Sequence, residues 1–166
     1  MEKVLSKSPR PLSPETQTIE DAVTALLAEA KVTVTTTYAG EVNKPDWNLG
    51  KKHMMDHWRV SFTKVAVQDP YSVDYYTGLG NRQSPHLLAD SCPVMPTPSS
   101  VLHSLCMDAT CVDEYTFRQF AEEMSLSDDS IKARDMYIAC QDTRTELLRL
   151  FSPEIFDKLC ETVREY

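Results

Sequence analysis

Two histidines four residues apart, His53 and His57, and a second set of soft donors, His103, Cys106 and Cys111 with Cys92 farther off, are the residues of this chain whose types could hold a metal. On a helix, His53 and His57 would share one face, as zinc-binding histidines do. The segment lacks the glutamate of the metalloprotease pattern and sits where a loop meets a strand, so surface histidines bordering Trp58 explain it better. Structural zinc sites pair their cysteines in Cys-x2-Cys knuckles. Here the spacings are x2 and x4 with an isolated outlier, which fits a helix carrying one exposed histidine and part-buried cysteines.

Nucleophilic catalysis needs a nucleophile, a base and an orienting group that meet in space. Cys92 or Cys111 with His86 or His103 are the available pairs, and no motif marks either. There is no Gly-x-Ser-x-Gly elbow, Walker loop or dinucleotide fingerprint. Thr77-Gly78-Leu79-Gly80 ends a strand with no helix after it, which is not a phosphate cradle. The expectation is a chain without enzymatic activity, without a bound metal and without a cofactor. Five cysteines, an odd number scattered over a chain with no export signal, predict free thiols in a reducing cytoplasm, with Cys140 and Cys160 as small core residues.

Charge is the more informative feature. The net charge is −8, and residues 108–166 hold fourteen acidic against seven basic side chains. Glu122, Glu123, Asp128, Asp129, Asp135, Asp142 and Glu146 fall on predicted helices whose other faces are apolar, so a solvated acidic surface is expected there. Such a surface repels phosphates and attracts a cationic partner. A competing mixture lies earlier, where Lys44, Lys51, Lys52, Arg59, Lys64 and Arg82 are interspersed with Trp47, Trp58, Tyr71, Tyr75 and Tyr76, the combination used to bind single-stranded nucleic acid. Strand alternation buries half of those aromatics, and the chain as a whole is acidic.

The elements that must position these residues read as follows. Residues 1–13, rich in proline and basic side chains, are expected to be a flexible tail. Ser13-Pro14 starts a helix in which Ile19, Ala22, Val23, Leu26, Leu27 and Ala30 form one apolar stripe. Lys31 to Tyr38 is β-branched and reads as a strand. Trp58, Val60 and Phe62 alternate with polar residues, as do Tyr71, Val73 and Tyr75 after a turn predicted at Asp69-Pro70, giving a hairpin. The stretch 41–56 between the first two strands, containing Trp47, is expected to be a long loop available to a partner.

Residues 14–83 thus form an α-β-β-β unit, 84–98 a proline-rich connector, and 99–166 a helical half packed with the first unit as one domain. Four helices are predicted there, capped by Thr97, Asp113, Ser127 and Ser152. The fold class is α+β: an N-terminal helix on a three-stranded antiparallel sheet, followed by a four-helix C-terminal half.

Trp58-Arg59-Val60-Ser61-Phe62, Tyr75-Tyr76-Thr77-Gly78-Leu79-Gly80, Pro96-Thr97-Pro98-Ser99-Ser100-Val101-Leu102, Ser130-Ile131-Lys132-Ala133-Arg134 and Tyr137-Ile138-Ala139-Cys140-Gln141 together resemble a group of small proteins encoded by tailed bacteriophages and bacterial prophages. The resemblance spans most of residues 35–151 and carries no catalytic residues with it. It implies a phage setting, in which small acidic accessory proteins bind host machinery. The expected function is therefore inhibition of a host defence complex of the CRISPR-Cas type, with Glu122, Glu123, Asp128, Asp129, Asp135, Asp142, Glu146 and Trp47 contacting a basic host protein or nucleoprotein complex in the bacterial cytoplasm. The alternative is a small phage nucleic-acid-binding factor that uses the aromatic, basic sheet and the 41–56 loop. No membrane partner is expected.

Overall fold

A computed structural model describes residues 12–45, 52–82 and 92–166. The expected tail up to residue 11, the centre of the 41–56 loop with Trp47 and Lys51, and the connector from 84 to 91 with His86 lie outside those residues.

Helix α1, Pro14–Ala30, begins as the sequence predicts, with the Ser13 hydroxyl accepting from the Thr16 amide and Pro14 opening the first turn. It ends at Lys31, whose left-handed backbone (φ 59°) closes the helix onto the Leu27 and Ala28 carbonyls and turns the chain into strand β1. Val23, Leu27 and Ala30 are buried, and Ile19 and Leu26 are partly buried beside them.

The sheet has the order β1-β2-β3, all antiparallel: β1 is Val32–Pro45, β2 Lys52–Lys64 and β3 Val67–Gly78. Its inner face aligns Val34, Phe62 and Tyr71, then Thr36, Val60 and Val73, then Tyr38, Trp58 and Tyr75. Trp58, Val60 and Phe62 are fully buried. One buried cluster draws on α1, β1, β2 and three later helices, so the apolar face of the sheet and the stripes of the helices cover one another.

Two expectations about the strands are corrected. Residues 41–45 and 52–56 are paired strand rather than loop, with Glu41 opposite Asp56 and Lys44 opposite His53. A bulge explains why alternation breaks there: Tyr38 pairs with Trp58 but Gly40 with His57, and Gly40 takes φ 107°, which only glycine adopts without strain. The extra residue reverses the phase, so Glu41 and Asn43 follow Tyr38 on the inner side. The hairpin turn is Val65-Ala66, not Asp69-Pro70. Lys64 pairs with Val67 while Phe62 pairs with Tyr71, so Asp69-Pro70 lies in an irregular stretch of β3, an edge strand where a missing amide hydrogen is tolerated.

A 3-10 turn, Leu79–Asn81, follows β3. Among the described residues, four helices come after it: α2 Pro98–Glu114, α3 Phe117–Glu123, α4 Ile131–Leu150 and α5 Pro153–Val163. Thr97 and Ser152 cap α2 and α5 as predicted. Asp113 instead lies within α2, and Thr116 caps α3 in a reciprocal box with Gln119. Ser130 rather than Ser127 caps α4, accepting from the Ala133 amide. Among the described residues, no helix is long and apolar enough to cross a membrane.

Candidate docking surface

Helix α4 carries two faces of opposite kind. One buries Ala133, Leu147 and Leu150 and half-buries Met136, Tyr137, Cys140 and Leu148 against the rest of the molecule. Tyr137 fixes the short α3 beside it, meeting Phe117 and Phe120 edge-on at 5.5 and 5.3 Å and donating from its hydroxyl to the Tyr115 carbonyl. The other face is solvent-exposed and reads Ile131, Asp135, Ile138, Asp142, at steps of four, three and four, the spacing that keeps side chains on one line of a helix. Ile131 is 78% and Ile138 46% exposed. Isolated exposed aliphatics are ordinary on a protein surface. Two on one line, alternating with carboxylates, form a patterned face.

The predicted acidic residues that precede α4 are exposed as well. Glu122 and Glu123 are exposed on α3, and Asp128 and Asp129 lie in the turn that leads into α4, where negative charge also favours the helix N-terminus. Ser127 donates a short hydrogen bond to Asp129. Arg118 approaches Glu122 only to 3.8 Å, a weak exposed pair. Three basic residues of α4 are turned elsewhere, while Lys132 is exposed next to Ile131: Arg134 lies over the Phe117 ring at 5.9 Å, Arg144 donates to Asp113 at 2.9 Å, and Arg149 bonds Glu146 and the Asp69 carbonyl. Glu146 is thus committed to Arg149 at 2.6 Å and does not belong to the free set. Ile131 and Ile138, with Met124 exposed at the end of α3, were not among the expected contacts. Their signal was present as apolar residues seven apart and off the core stripe of α4.

On the sheet, the expected basic and aromatic site comes apart. Trp58 is 1% exposed and donates its indole hydrogen to Thr77 at 2.9 Å, and Tyr71 and Tyr75 face inward. Arg82 donates to Asp56 from Nε at 2.9 Å and to Glu41 from Nη2 at 2.6 Å, with a further short Nη2 bond to Asp56. Asp56, itself 1% exposed, also accepts from the Tyr38 hydroxyl at 2.8 Å; burial and that carboxylate push the Tyr38 phenol up to about 12. Lys64 donates to the Leu150 carbonyl at 3.1 Å. Outward on the same sheet, His57 and Arg59 converge on Asp74 at 2.8 and 3.3 Å, and Lys44 sits 4.1 Å above Tyr76, which stacks on His57. These cations already have partners.

The metal and nucleophile candidates are separated by geometry. His53 and His57 lie in a strand, not a helix, so their backbones stand roughly 13 Å apart. The His103 Nδ1–H donates to the Val163 carbonyl at 2.7 Å, and Cys106 meets Cys160 of α5 rather than Cys111. His103 and Cys111 are separated by about 12 Å of helix. No group of three metal-ligating side chains converges among the described residues. Gly78 and Gly80 lead from β3 into the 3-10 turn. Comparison of the chain with protein families, with curated proteins and with solved structures finds no match.

Proposed function

We propose that the chain works by protein–protein interaction, docking the Ile131–Asp135–Ile138–Asp142 line of α4 and the flanking carboxylates of α3 and the α3–α4 turn on a cationic surface of a larger, nucleic-acid-binding protein. The observation that supports this reading is the exposed alternation of aliphatic and carboxylate side chains. From Ile131 to Asp142 it runs about 17 Å along the helix. Exposed carboxylates attract a basic groove and raise the association rate, while isoleucines desolvated at the centre slow dissociation. A phage setting, implied by the sequence resemblance, makes a host defence complex of the CRISPR-Cas type the partner class, and inhibition by occupying its nucleic-acid channel the mode of action.

The test uses purified complex and intact cells. Wild-type protein should bind the complex with an affinity that falls as salt rises, and should restore plaque formation by a phage the complex normally blocks. A variant carrying Ile131→Ser, Asp135→Lys, Ile138→Ser and Asp142→Lys should lose both while keeping its circular dichroism. Retention of binding by that variant would overturn the reading. So would a gel shift of single-stranded DNA or RNA by the wild-type protein at physiological salt, which would point to the outer sheet face instead.

A further inference from the structure

Helices α2 and α5 pack with an open pocket of about 450 Å³ between them, lined by His103, Cys106, Met107, Cys160, Val163 and Arg164 among others. We propose that this pocket is a thiol-modification site for small disulfide oxidants, with Cys160 as the attacking thiol and Cys106 as the resolving one. Both cysteines line this pocket, and they differ in access: Cys106 is 3% exposed and Cys160 half-buried. A small oxidant in the pocket therefore meets Cys160 first.

Electrostatics divides the roles the same way. The neighbouring Cys106 thiol holds the Cys160 thiol below its usual range, helped by Arg164 just past the end of α5 and opposed by partial burial and by Asp157 and Asp113. The same contact, together with burial, pushes the Cys106 thiol far up, so Cys106 keeps its proton until it is needed. Cys111 and Cys140 provide the contrast. Burial and neighbouring carboxylates raise both thiols, Cys140 to about 11.

The chemistry balances with the oxidant named. Cys160 thiolate attacks one sulfur of a low-molecular-weight disulfide, forming a mixed disulfide and releasing one small thiolate. Cys106 then attacks the Cys160 sulfur, its proton passes to the second small thiolate as that leaves, and a Cys106–Cys160 disulfide remains. Net, two protein thiols are oxidised and one small disulfide is reduced to two thiols. Facing Cα atoms of helices packed 8–10 Å apart lie roughly 3.5–5.5 Å from each other, which overlaps the span a disulfide bridges.

The experiment exposes reduced protein to oxidised glutathione, alkylates the remaining thiols and maps peptides by mass spectrometry. Wild type should yield a linked Cys106–Cys160 peptide pair with Cys111 and Cys140 alkylated. Cys106→Ala should instead accumulate a glutathione adduct on Cys160, and Cys160→Ala should give no linked pair and react about tenfold more slowly in the pocket. A Cys111–Cys140 link formed first, or a glutathione adduct that persists on Cys160 in wild type, would overturn the assignment. If Cys106→Ala fails to fold, the wild-type map decides the matter alone.

Discussion

Cations of the sheet and the carboxylates on the outer line of α4 differ in whether the fold consumes them. Around the sheet, Arg82 is spent on Asp56 and Glu41, Lys64 on the Leu150 carbonyl, Arg59 and His57 on Asp74, and Lys44 on Tyr76. Over α3, the following turn and α4, Glu123, Asp128, Asp135 and Asp142 have no ion pair among the described residues. The reason is position. A side chain near a sheet end or hairpin tip has cross-strand neighbours and a covering helix within reach, and a buried charge there must be paired. A side chain on the outer line of a surface helix such as α4 has only solvent and its own turn-neighbours, and remains available to another molecule. Residue type alone does not separate these cases.

Breaking the sheet's internal network should give the largest effect. Trp58→Ala removes a fully buried indole, its tilted contact with Tyr38 at 5.0 Å and its bond to Thr77, and should cost about 3–5 kcal/mol in urea unfolding. A loss under about 1 kcal/mol would mean the inner face is not closed over it. Arg82→Ala leaves Asp56 as an uncompensated buried charge and should cost about 3 kcal/mol, part of it recovered when Asp56→Asn is added.

The helical surface should behave in the opposite way. Changing Glu122, Glu123, Asp128 and Asp129 together to lysine should alter stability by about 1 kcal/mol or less, mainly through charge at the start of α4, as thermal unfolding would show. A larger loss would place these carboxylates in the sheet's category.

Asp74 sharpens the comparison with the smallest effect. His57 donates to it and holds its carboxyl below the usual range, with Arg59 adding to the same direction. Its contribution is therefore present above the unfolded value of about 4 and is lost as pH falls through the lower folded value. Because the side chain is 44% exposed, the contribution should stay below about 1 kcal/mol. The stability difference between wild type and Asp74→Asn should shrink on acidification below pH 4 and stay level between pH 5 and 6.

Period-two alternation, helical stripes and capping pairs were readable along the chain, because each depends on residues within a few positions of one another. They delivered α1, the shared inward face of Trp58, Val60 and Phe62, and the starts of α2 and α5. Where a local device interrupts a pattern, reading failed: the Gly40 bulge disguised the second half of β1 as loop, and Pro70 in an edge strand disguised the start of β3 as a turn. The acidity of the last third was likewise legible, as was the exposure of Asp135 and Asp142. The sequence by itself determined the alternations, caps and charge of this protein. Only the tertiary structure decided which charges are paired and that Cys106 and Cys160 line one pocket, because those facts depend on segments tens of residues apart being brought into contact.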